Sequence, residues 1–111
     1  MNAPHVRTEE EQINMGALAL IGSFAARAAS LGGVYDNTDR AVFAAEAVWL
    51  FARRTGLDST DEDALTAIQD LVCNLMHLCR LESIMPDRQD FDDLLRMARI
   101  NFEAECDEEA G

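Results

Sequence analysis

The chain has 111 residues, a length that suits one domain. It carries 21 Asp and Glu residues against nine Arg and no Lys, so its formal net charge is -12. Phosphates and anionic lipids repel such a chain, which disfavours direct binding to nucleic acid or to a membrane surface. The charged partner that it favours is a protein with a basic surface.

Hydrophobic residues make up 49% of the chain and aromatic residues 6%, and strand-like alternation is nearly absent. We therefore predict an all-α fold, a compact bundle of four main helices at about 8–31, 38–55, 61–82 and 90–105. Residues 1–7 are expected to form a flexible tail, 8–105 a single helical domain, and 106–111 an acidic frayed tail. The three cysteines lack the spacing of a disulfide framework, and the N-terminus is too polar for a signal peptide, which predicts a cytoplasmic protein.

The first predicted helix opens with the sequence TEEE, a capping box at 8–11, and ends at Gly32 and Gly33. Gly16 and Gly22 would let another helix approach closely. They predict packing within the chain, with the seam of a homodimer as the alternative. The larger apolar residues are expected to form the inner face of this helix: Ile13, Leu20, Phe24 and Leu31.

The second predicted helix begins near Thr38 and ends at Gly56. Apolar residues nearly encircle it, which predicts a buried helix. Glu46 lies among them, and a buried carboxylate requires a partner or a metal ion. It is a candidate metal ligand or catalytic acid. The alternative is an exposed strip on which Asp39, Glu46 and Arg53 recur every seven residues.

The central predicted helix carries the strongest helical pattern. Asp70, Asn74 and His77 share the opposite edge of this helix. They predict a recognition patch, a metal or phosphate site, or a solvated face. The apolar positions expected to pack inward are Leu65, Ile68, Val72, Leu75 and Cys79.

The last predicted helix is capped by Asp87 or Asp90. Met97 and Ile100 fall outside its main apolar stripe and are expected to extend an interface. The stripe itself is predicted to face inward and consists of Phe91, Leu94, Leu95, Ala98 and Phe102. The exposed acids predicted to bind a partner are Asp87, Asp90, Asp92 and Asp93.

The second half of the chain, with DALTAIQDLVCNLMHL followed by FDDLLRMARINFEAE, resembles small acidic helical proteins of phages and prophages. Some proteins of that class inhibit host defences, including CRISPR-type complexes. The same region is similar to the MazG-like all-α NTP pyrophosphatases, with Asp70 at the closing position of their ExxD pattern. Ala67 stands where that family has Glu, and Trp49 stands where a second Glu would follow Glu46. The resemblance therefore implies a degenerate magnesium site.

These observations predict a non-enzymatic protein-binding module, an inhibitor that covers a basic or subunit-contact surface of its target. This hypothesis assigns no catalytic residue, metal or cofactor. Its predicted binding residues are the four acids of the last helix together with the Asp70, Asn74 and His77 patch. One alternative is a magnesium-dependent nucleotide pyrophosphatase that uses Glu46 and Asp70. A homodimeric helical scaffold is the other.

Overall fold

The computed structural model describes residues 13–33, 35–81, 84–85 and 90–110. All regular secondary structure in these ranges is helical, which confirms the predicted all-α bundle. The predicted tail at 1–7 and the capping box at 8–11 lie outside the described residues. The helices are α1 (Met15–Gly22), α2 (Ala25–Ser30), α3 (Asn37–Thr55), α4 (Ala64–Leu81) and α5 (Phe91–Ala110).

The first predicted helix is divided into α1 and α2 at Ser23 and Phe24. The Ser23 hydroxyl donates a hydrogen bond to the Leu20 carbonyl oxygen at 2.6 Å. The Ser23 and Phe24 N–H groups donate to carbonyls three residues back, at 3.2 and 3.3 Å. Side-chain bonding of this kind and tightened i–3 bonds bend a helix. The periodicity did not reveal the break, because both segments stay close to helical geometry.

Gly22 is the point at which α1 lies closest to α3. A Cβ atom built at Gly22 would lie 3.0 Å from both the Cα and the backbone nitrogen of Glu46. A side chain at Gly22 would crowd the α3 backbone, which cannot move aside as a flexible side chain can, so the two helices would have to separate slightly. Gly22 therefore serves packing within the chain, as predicted.

The core is built mainly from small side chains at the helix crossings. On α1 and α2 the buried positions are Met15, Leu18, Gly22 and Ala25. The predicted inner face is wrong, since Ile13, Leu20, Phe24 and Leu31 are all exposed. Helix α3 also buries one stripe rather than its whole circumference, as its buried residues are Val42, Ala45, Val48 and Ala52.

A backbone clamp joins the start of α1 to the start of α4. The Met15 N–H donates to the Glu62 carbonyl at 2.8 Å, and the Ala64 N–H donates to the Ile13 carbonyl at 2.9 Å. These bonds hold residues 61–63 out of helical geometry, so α4 begins at Ala64, later than the predicted start at 61. The Asp63 carboxylate accepts a hydrogen bond from the Leu65 N–H at 3.1 Å and satisfies one of the first helical donors.

Helix α3 begins and ends at strong local signals. Asp36 and Asp39 form a reciprocal capping box, so α3 begins at Asn37, one residue before the predicted start at about 38. Gly56 ends the helix with φ 80°, the left-handed conformation that glycine adopts readily, and this end was predicted.

Helix α5 is longer than predicted and runs to Ala110. Residues 106–110, expected to fray, are helical. The reason is a polar contact with the start of α3. The Glu109 carboxylate accepts a hydrogen bond from the Asn37 N–H at 2.6 Å, and Arg40 pairs with Glu105 at 2.6 Å. A carboxylate near the N-terminus of a helix is favoured by the exposed N–H groups and by the helix dipole.

Candidate protein-binding surface

The acidic charge of the described chain is concentrated on α5. This helix carries seven acidic side chains and two Arg, whereas α4 carries one Asp and one Arg. Asp92 and Glu103 are exposed on α5, as are Asp107, Glu108 and Glu109 near its end. Basic protein surfaces are therefore attracted to α5 more strongly than to any face of α4.

The four acids predicted to bind a partner have different surroundings. Asp90 and Asp93 form a capping box, in which each backbone N–H donates to the other side chain at 3.0 Å. Asp93 also pairs with Arg96 at 3.1 Å. Asp92 is exposed and takes no part in this box, and Asp87 lies outside the described residues. Two of the acids thus stabilise the helix, and Asp92 is the one most available to a partner.

The apolar stripe of α5 is not covered by the rest of the described chain. Leu94, Leu95, Ala98 and Phe102 were predicted to face inward, but all four are exposed, Phe102 by 63%, and Phe91 is half-buried. Hydrogen bonds and an ion pair join α5 to α3 at its C-terminal end, and the start of α5 borders a cleft beside the end of α4. Met97 and Ile100 are exposed, as expected.

Leu95, Ala98 and Phe102 lie in a shallow groove along α5. It has a volume of about 780 Å³ and combines apolar side chains with both basic and acidic ones. An apolar floor with charged edges is typical of a surface that binds another protein. The residues that line the groove are Asp92, Leu95, Arg96, Ala98, Arg99, Phe102 and Glu103.

Helix α4 has two apolar stripes, and the structure buries the one with smaller side chains. Ala64, Ala67 and Leu71 face the core, with Ala67 only 1% exposed. Four residues of the predicted inward stripe are exposed, from 56% at Leu65 to 37% at Val72, and the fifth, Cys79, is half-buried. The two stripes lie roughly a quarter turn apart at about 100° per residue, so α3 covers only one of them.

Asp70, Asn74 and His77 are all exposed on α4. Of the three, only His77 borders a cleft between the end of α4 and the start of α5, with a volume of about 520 Å³. Cys73, Cys79 and Asp90 also line this cleft. The other two residues of the predicted patch lie on a solvated face of the helix.

The two carboxylates of the magnesium alternative are both on the surface. Glu46 is exposed although its backbone lies against Gly22, and Asp70 is exposed on α4. Glu46 and Arg53 are exposed while Asp39 is half-buried in its capping box, in agreement with the exposed strip. Across the described ranges, no three His, Cys, Asp or Glu side chains are grouped to hold a metal ion. The described residues therefore do not supply the donor set that the pyrophosphatase resemblance implies.

None of the described helices is both long enough and apolar enough to cross a membrane.

Comparison with known proteins finds no matching family model, no similar curated protein and no similar solved structure.

The sequence interpretation did not identify Arg96, Arg99 and Glu103 as part of a surface. Their spacing could have identified them, because positions 92, 96, 99 and 103 recur at three and four residues and share one face of a helix. Glu105 and Glu109 have the same four-residue spacing, but their partners at Asn37 and Arg40 are distant in sequence.

Proposed function

We propose that this protein is a non-enzymatic protein-binding module that engages a basic protein surface through α5. The observation that carries the proposal is the groove on α5, in which Leu95 and Phe102 are exposed between Asp92 and Glu103. Acids attract a basic partner over a long range, and the apolar side chains hold it after contact.

The attachment of α5 to α3 supports this function. The Arg40–Glu105 pair and the Asn37–Glu109 hydrogen bond hold the C-terminal end of α5 against α3, and the Asp90–Asp93 box caps its N-terminal end. The contacts at Glu105 and Glu109 therefore hold the C-terminal end of α5, next to the groove, before a partner arrives. A preformed surface loses less conformational entropy on binding, which raises affinity.

The charge of the chain suggests a class of target. A surface that attracts 21 acidic residues would also attract nucleic acid, so an acidic protein competes with nucleic acid for it. The resemblance to small acidic phage proteins extends this proposal to a nucleic-acid-binding defence complex of the CRISPR type. In that version the protein covers a basic or subunit-contact surface and prevents its use.

The test begins with capture of partners from a nuclease-treated lysate of the host cell at low and high salt. Binding kinetics are then measured for the captured partner with two double variants of equal charge. Asp92→Asn with Glu103→Gln removes two acids from the groove. Glu46→Gln with Asp61→Asn removes two exposed acids that lie elsewhere.

The groove variant is expected to lower the association rate constant several-fold at low salt, with a smaller difference at high salt because ions screen the attraction. The control variant should associate at nearly the wild-type rate. Equal losses in the two variants would mean that net charge, and not α5, governs binding, and would overturn the proposal. Magnesium-dependent hydrolysis of nucleotides that is lost in Glu46→Gln would instead support the enzyme.

A further inference from the structure

The exposed stripe of α4 has the spacing of a helix–helix seam. We use the name outer stripe for Leu65, Ile68, Val72, Leu75 and Cys79. These positions alternate at three and four residues, the a and d spacing by which two helices pack along their length. Met76 and Leu78, at 49% and 46% exposed, occupy the positions that flank such a seam.

Within the described residues, the other exposed apolar side chains do not form a seam that is both unbroken and free of charge. Leu20 and Phe24 are exposed as well, but the helix break at Ser23 separates them. On α5 the exposed residues Leu95, Ala98 and Phe102 do share one face. Charged side chains line the same groove, however, and they are Asp92, Arg96, Arg99 and Glu103. The outer stripe follows one unbroken helix of 18 residues whose charged side chains are Asp70 and Arg80.

The area of the outer stripe suits a dimer. With its flanking residues it exposes on the order of 500 Å² of apolar side-chain surface per chain. Two copies would bury about 1,000 Å² of apolar area, and because about 65% of a homodimer interface is apolar, the total would be about 1,500 Å². That value is close to the roughly 1,600 Å² of a standard stable interface.

Charge also favours a second copy at this face. The acidity of the chain would normally oppose self-association, since like charges repel. Helix α4 carries only Asp70 and Arg80 as formal charges, and Asp70 points away from the outer stripe. Two copies would therefore meet along an uncharged face, while their acidic α5 helices remain available.

Another segment of the same chain is a less suitable occupant. Residues 1–12, MNAPHVRTEEEQ, contain few large apolar side chains and three consecutive Glu. Such a segment has too few apolar side chains to contact Leu65, Ile68, Val72 and Leu75 along α4.

We propose that the outer stripe is the seam of a homodimer in which α4 packs against α4 of a second copy. This interface does not depend on the function proposed for α5. The predicted use of Gly16 and Gly22 as a dimer seam is not part of it, because Gly22 already packs against α3.

The first test measures the mass of the full-length chain by sedimentation velocity over a range of concentrations. The wild type is expected to have twice the 12.3 kDa chain mass at high concentration and to dissociate on dilution. Val72→Asp places a charge in the centre of the seam and should give a monomer, with at least a hundredfold weaker dimerisation. Thr66→Asp adds the same charge on the far side of the same helix and should leave the dimer intact.

The wild-type protein also contains its own probe, which does not depend on whether a variant folds. Cys79, which is half-buried, lies on the outer stripe, and Cys73 is exposed about a third of a turn away around α4. Labelling by a thiol reagent, resolved by residue with tandem mass spectrometry, should become faster for Cys79 on dilution and stay constant for Cys73.

A wild-type chain that remains monomeric at several hundred micromolar would overturn the proposal. A dimer that Val72→Asp leaves unchanged, with Cys79 labelling independent of concentration, would place the interface elsewhere and would also overturn it. A monomer in which Cys79 is protected at every concentration would mean that another part of the chain covers the stripe.

Discussion

Different interactions stabilise the two ends of the described molecule. At one end, α1, α3 and the start of α4 meet through small apolar side chains and a backbone clamp, with Met15 and Ala52 fully buried. At the other end, Asn37 of α3 donates hydrogen bonds to the Glu109 carboxylate and to the Glu105 carbonyl of α5. The Arg40–Glu105 ion pair, which is partly exposed, completes the attachment. Burial stabilises the first region and polar contacts the second, so substitutions and salt should affect them differently.

The largest difference is expected from methionine truncation. Met15→Ala should lower the free energy of unfolding by about 2–5 kcal/mol, because it leaves a cavity in the core. Met97→Ala, at a side chain that is 54% exposed on α5, should change it by less than about 0.5 kcal/mol. Urea denaturation followed by far-UV circular dichroism measures both values. Equal effects would contradict the placement of the core at the α1–α3 crossing.

A smaller effect is expected where α1 crosses α3. Gly22→Ala should cost about 1–3 kcal/mol, since its Cβ atom would push against the α3 backbone and separate the helices. Gly16→Ala is the matched control. Its Cβ atom would lie 3.3 Å from the Asn14 side chain and 3.5 Å from that of Thr60. The gain in helix propensity, up to about 1 kcal/mol, should offset much of that crowding.

The same urea titrations compare the two glycine variants. If Gly16→Ala destabilises the protein as strongly as Gly22→Ala, the close approach is not specific to the α1–α3 crossing.

The smallest effect is expected at the polar attachment of α5. Arg40→Ala should lower global stability by about 1 kcal/mol or less, because both partners of the Arg40–Glu105 pair are about a third exposed. It should nevertheless accelerate amide hydrogen exchange in the last turns of α5 while the α1–α3 core stays protected. High salt should produce the same pattern in the wild type.

Hydrogen-exchange mass spectrometry measures both regions in one experiment, with Arg53→Ala, an exposed arginine near the end of α3, as the control. Exchange that rises equally in α5 and in the core would mean that the two regions unfold together and are not held separately.

Helices were predictable where a local signal marks them. Gly56 ended α3 as expected, and the apolar periodicity located α4 and α5. The boundaries differed wherever a distant residue intervened. The clamp between Met15 and Glu62 delayed the start of α4, and the contact between Glu109 and Asn37 extended α5. The acids of the candidate site were identifiable by type, and Asp90 was one of the two predicted caps of α5. The reciprocal hydrogen bonds between Asp90 and Asp93 were seen only in the structure.

The sequence by itself determined that the chain is helical, strongly acidic and rich in apolar stripes, because propensity, charge and periodicity are local properties. Only the tertiary structure decided which stripe of each helix lies inside. Hydrophobicity favoured the larger side chains, such as Leu65 and Val72 on α4, yet the core contains Ala64 and Ala67. The clamp and the Gly22 crossing bring the helices so close that small residues fit between them, which leaves the larger apolar side chains exposed.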